Sequence, residues 1–125
     1  MAQIEVVRQS DLKAGDSTQG ILRKKAFDGI GISVAQTHVP GGAVSGWHHH
    51  GERHLYGFLV AGKLHLEYGR GGKIVAEVGR GDFFHIPPGL VHRDVNPSRE
   101  ETAIVVNVTV GEGPPMVNVS GPEAS

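Results

Sequence analysis

Residues 81–96 read GDFFHIPPGLVHRDVN, and this order of residue types spells out a piece of β architecture. Gly81 opens a turn, residues 82–86 run as a strand, Pro87-Pro88-Gly89 bends the chain, and a second strand over 91–95 carries His92. Proline cannot donate to a strand ladder, so the Pro-Pro-Gly step has to interrupt pairing. Two short strands joined by a stiff bend result.

The same grammar extends outward in both directions. Nineteen glycines and seven prolines are scattered along 125 residues and cut the chain into short segments rich in Val, Ile, Leu and Phe. Besides those two, strands are predicted over 3–7, 20–27, 32–39, 47–50, 54–61, 63–68, 73–78, 102–110 and 116–119. No apolar period of about 3.6 residues persists over three turns, so helices are not expected. Gly62 is predicted to mark a tight hairpin between its neighbouring strands, and GRGG at 69–72 another. About ten short strands with close turns indicate an all-β sandwich or barrel. After Thr109, with Pro114 and Pro115, the tail either runs over the surface or reaches a neighbouring subunit.

Composition limits the possible partners. A chain of 125 residues fits a single domain, 1–125, without an internal linker. Twelve basic residues against thirteen acidic ones give a formal net charge of -1, which offers no electrostatic footprint for nucleic acid or an anionic membrane. Small molecules or proteins are the expected partners. No apolar run reaches the roughly 18 residues of a membrane helix, and the opening MAQIEVVRQSDL lacks a basic-then-apolar leader, so a soluble cytosolic setting is expected. With no cysteine, any metal must be held by His, Asp or Glu.

Residues 47–54 read WHHHGERH, placing four imidazoles within seven residues. Alternation along a strand puts His48 and His50 on one face and His49 on the other, which makes a two-toothed clamp. If the chain turns through Gly51, Glu52 and Arg53 and resumes at His54, a third imidazole returns to that face with Tyr56, Phe58 and Val60, leaving Leu55, Leu59 and Ala61 opposite. Imidazole is a common ligand for Zn, Fe, Cu and Ni, although a solvated histidine loop would give the same letters.

Taken together, the two stretches resemble the cupin superfamily. Its second motif, G-x5-P-x-G-x2-H-x3-N, is matched at every fixed position by Gly81, Pro87, Gly89, His92 and Asn96. Its first, G-x5-H-x-H-x3,4-E-x6-G, is matched by Gly42, His48 and His50, with Gly62 closing it. The motifs thus cover about 42–62 and 81–96. The resemblance implies a cupin β-barrel (double-stranded β-helix, or jelly roll) of the small conserved-barrel type, with His48, His50 and His92 as metal ligands. It departs from the family at the glutamate. Counting three residues after His50 puts His54 there, and counting four puts Leu55. His54 is preferred as fourth ligand because leucine cannot ligate and a one-residue bulge would absorb the difference.

One divalent transition ion per chain is therefore expected, Fe, Mn, Ni, Cu or Zn, since Mg and Ca favour oxygen donors. The first functional expectation is a metal-dependent dioxygenase or related oxidoreductase acting on a small chelating diketone, phenol or keto acid. Alternatives are a redox-silent Zn or Ni isomerase or cyclase, with His85 or Tyr56 as catalytic residues moving a proton, and a non-catalytic metal- or ligand-binding module. Trp47 either roofs the mouth or packs. Arg23-Lys24-Lys25 and Glu100-Glu101 read as solvated faces, and His38 and His65 as ordinary strand residues. No phosphate-cradling glycine loop or nucleophile elbow is present. A homodimer is expected through Leu55 and Leu59, on the face opposite the metal, together with Ile4, Val6 and Val7.

Overall fold

The structure, a computed structural model, describes residues 2–123. Among the described residues eleven strands form: β1 (Lys13–Ala14), β2 (Leu22–Gly29), β3 (Ile32–Val39), β4 (His48–His49), β5 (His54–Ala61), β6 (Leu64–Tyr68), β7 (Ile74–Val78), β8 (Phe83–Ile86), β9 (His92–Val95), β10 (Ala103–Val110) and β11 (Val117–Asn118). One 3-10 turn, Gln9–Asp11, precedes them. Six strands make one sheet in the order β1-β2-β3-β10-β5-β8, and five make the other in the order β11-β4-β9-β6-β7. Every strand pair is antiparallel. This is the all-β barrel that the strand pattern predicts, in the jelly-roll form that the resemblance implies.

The core is made by inward residues of both sheets. Leu55 and Leu59 of β5 and Val105 of β10 meet Leu64 and Leu66 of β6, with Val39, Val78, Ile86 and Ala103 completing the buried cluster. Fully burying each valine, leucine or isoleucine among them contributes about 1.5–3 kcal/mol, which is what sets strand register here.

The parity expected for β5 is reversed. Leu55, Gly57 and Leu59 point inward, while His54, Tyr56 and Val60 are exposed. Pairing Leu55 with Ile86 of β8 places two buried apolar residues side by side, and a shift by one residue would bring His54 and Tyr56 inward instead. Leucine burial wins.

Three other expectations are corrected. Gly62 does not close a hairpin, because β5 and β6 lie in different sheets; it carries the chain across with φ of 80°. A side chain there would also meet the backbone of Ala103 at 2.9 Å. The GRGG turn does join paired strands, β6 and β7. Residues 3–7 form no strand, since the sheet edge beyond β2 is occupied by β1, and Ile4 is left 94% exposed. The tail is tied to its own barrel, with β11 pairing to β4.

Candidate metal centre

β4 and β9 lie side by side, with His48 opposite His92 in register. His50 follows β4 on the same face as His48, and Gly51 N–H donates to His49 Nδ1 at 2.9 Å on the other. His48, His50 and His92 are buried at 1%, 4% and 2% exposure, and one ring nitrogen from each lies within 4.8 Å of the other two.

Backbone carbonyls orient all three rings. His48 Nδ1 sits 3.0 Å from the Gly46 carbonyl, His50 Nδ1 2.9 Å from that of Pro115, and His92 Nδ1 2.9 Å from that of Leu90. A carbonyl only accepts, so each Nδ1 carries the proton and each Nε2 presents its lone pair. Burial, reinforced by the neighbouring His92, pushes His48 and His50 down from the usual 6.5 to about 3. His92 is also lowered by burial, against the opposing pull of Asp94 and of its bond to Leu90. Three neutral nitrogen donors thus converge at neutral pH.

The remaining polar groups in this cavity are ones that sequence reading did not select. Asp94, 7% exposed, lies two residues after His92 on the same face of β9. Its Oδ1 is 3.8 Å from His48 Nε2 and 3.9 Å from His92 Nε2, and among the described residues it has no hydrogen-bond partner. Arg23 lines the cavity with the three histidines and is half-buried, not solvated. Its Nη1 donates to Thr18 Oγ1 at 2.7 Å and to the Asp16 carbonyl at 3.1 Å. Burial pushes its pKa down, with Asp94 and Asp16 opposing.

His54, expected as fourth ligand, lies elsewhere. It is exposed on the outer face of β5, where its Nδ1 is 2.9 Å from His85 Nε2. Tyr56 stacks on His85 there, with ring centroids 4.9 Å apart. Neither His85 nor Tyr56, the two expected proton carriers, therefore faces the histidine cluster; both point outward because they are register partners in a pair whose inward residues are Leu55 and Ile86. Leu55 instead lines the cavity beside the three histidines. Trp47 packs, with Arg93 Cζ 4.5 Å above its ring.

Residues 35–109, more than half of the chain, match the sequence profile of the cupin domain. The chain belongs to the cupin family. Asn96, last residue of the second motif, has a structural role in this cupin: its Nδ2 donates to the carbonyls of Val39 and Glu101, and its Oδ1 accepts from Ser98 N–H. No curated protein matches the chain in sequence. Among solved structures it is similar to the polyketide cyclase RemF from Streptomyces resistomycificus, with 23% identity over 97% of this chain and 89% of that one and a TM-score of 0.73. An uncharacterised double-stranded β-helix protein from Klebsiella pneumoniae is 19% identical over 94% and 99%, with a TM-score of 0.73. Oxalate oxidase in complex with the substrate analogue glycolate is 23% identical over 92% of this chain but only 63% of its own, with a TM-score of 0.71. These likenesses establish the fold.

The donor set fits a divalent transition ion. Three aligned imidazole nitrogens suit Fe, Mn, Ni, Cu or Zn, and the unpartnered buried oxygen of Asp94 leaves a cationic partner wanting beside two of them.

Proposed function

We propose that this cupin is a metal-dependent oxidoreductase, of the dioxygenase class, acting on a small organic anion that chelates through a carboxylate or enolate oxygen. The observation that carries the reading is the convergence of three carbonyl-oriented histidines with Arg23 in one cavity. One divalent ion per chain would be held by His48, His50 and His92. When bound, such an ion supplies Lewis-acid polarisation of a substrate oxygen and, if redox-active, a route for electrons between substrate and dioxygen.

The chain's own residues supply binding and exclusion. Arg23 offers a guanidinium to a substrate carboxylate, a pairing that strengthens as water leaves. Leu55, Leu66, Phe84, Ile86 and Val105 give the cavity apolar walls. The similarity to oxalate oxidase bound to glycolate, a small hydroxy acid, agrees with a small anion as ligand. The two proton carriers expected for a redox-silent isomerase or cyclase, His85 and Tyr56, lie on the outer surface and would take no part in such a reaction.

We further propose a cytosolic homodimer. Leu55 and Leu59 cannot form its interface, being 4% and 0% exposed in the chain's own core. The outer face of β5 and the edge strand β8 serve better: Phe83 is 80% exposed, and Tyr56 and Val60 extend the same patch.

Oxygen uptake by the iron-loaded protein, prepared without a histidine tag, tests the activity across diketones, phenols, keto acids and small hydroxy acids. A fall of at least about tenfold in kcat/KM, through a raised KM, is expected in Arg23→Gln if the guanidinium binds substrate. Metal-loaded protein that consumes no oxygen with any of them would defeat the oxidoreductase reading.

A further inference from the structure

We infer that Asp94 is a fourth protein ligand to the metal, supplying from β9 the carboxylate that the first motif lacks. The inference rests on the metal-centre reading and deepens it. In this chain the position facing the histidines from β5 is Leu55, which has no donor atom, and His54 points away from it. A carboxylate nevertheless reaches the centre from the opposite sheet. His92 and Asp94 are two residues apart on one strand, so both side chains leave the same face of β9.

Distances to two of the three histidines permit sharing of one ion. Two donor atoms each about 2.0–2.2 Å from one metal can be separated by at most about 4.4 Å. Oδ1 is 3.8 Å from His48 Nε2 and 3.9 Å from His92 Nε2, inside that limit. Both separations exceed a hydrogen bond, so neither imidazole satisfies the oxygen directly. Each of these nitrogens is, moreover, the lone-pair end of a ring whose proton is committed to a carbonyl. Two lone pairs and a carboxylate oxygen facing one another repel unless a cation lies between them. Arg23 does not fill that role, since Oδ1 has no hydrogen-bond partner among the described residues.

A carboxylate ligand would change the chemistry of the centre. It neutralises one of the two positive charges and adds a hard oxygen donor, which favours Mn and Fe over a purely nitrogenous set.

The absence of cysteine from the chain gives a direct test. In Asp94→Cys loaded with one Co2+ per chain, direct ligation from position 94 produces a thiolate-to-cobalt charge-transfer band in the near ultraviolet, absent from wild type. One cobalt bound without that band overturns the inference. If Asp94→Cys takes up no cobalt, waters on bound Mn2+ are counted by electron spin-echo modulation in deuterated water. One more water in Asp94→Ala than in wild type is expected, and an equal number overturns the inference. Affinity alone does not decide, because residues that merely brace a ligand also cost about 10- to 100-fold when removed. Wild type that binds neither ion defeats the metal-centre reading itself, whereas loaded protein without oxygen uptake defeats only the proposed activity and leaves the band to decide Asp94.

Discussion

His48 and His92 are register partners across the antiparallel pair of β4 and β9, with ring centroids 4.3 Å apart. Sheet pairing, and not a flexible loop, therefore joins the two halves of the metal centre. Metal uptake should depend on the rings that this pairing brings together. His92→Ala removes the only one of the three clustered histidines that the second motif supplies and should abolish stoichiometric binding, while His49→Ala and His54→Ala, whose rings lie outside the centre, should leave affinity within about twofold. Metal analysis after equilibrium dialysis checks this. Equal loss in His54→Ala and His92→Ala would mean that β5 has the opposite parity.

Much of the fold was legible because turn chemistry and strand chemistry are local. Residues 32–39 and 54–61 were delimited as they occur, since glycine or proline stands at or near each end. Parity was not local. Both faces of β5 are apolar enough to be buried, so periodicity could not choose between Leu55 and His54; pairing with β8 and β10 chose. The same gap hid the site's other polar groups. Asp94 was visible in principle, as the second residue of a His-x-Asp pair on one strand face. Arg23 was not, because β2 carries a register shift between Lys25 and Phe27 that breaks alternation beside the cluster Arg23-Lys24-Lys25.

Acid should destabilise the metal-free protein well before its carboxylates titrate. His48 and His50 fall from 6.5 to about 3 on folding, chiefly through burial. Between those values an unfolded imidazole binds a proton and the folded one does not, so the unfolded state holds more protons. Stability that is full above pH 6.5 is therefore lost as pH falls toward 3. Each ring contributes a slope of about 1.4 kcal/mol per pH unit. Calorimetric melting at pH 7, 6, 5 and 4 should show a steep fall in Tm that His48→Gln makes shallower. A melting temperature flat from pH 6.5 to 4.5 would contradict the burial of neutral rings.

Assembly depends on the face that β5 turns outward. Phe83 lies at the edge of the six-stranded sheet, its ring 4.6 Å from that of Phe58, with Tyr56 and Val60 on the same side. A two-fold dimer needs one patch that complements itself, and an apolar edge strand provides both ring packing and free backbone groups for a second copy. Light scattering across a concentration series should give about twice the chain mass of 13.3 kDa, and Phe83→Lys should halve it while leaving the circular dichroism unchanged. Leu59→Lys separates this interface from the core, because Leu59 is wholly buried within one chain and its replacement should unfold the monomer rather than release it. A chain that scatters as a monomer at high micromolar concentration, with Phe83 intact, would mean that this face is left to solvent and that the site is complete within one copy.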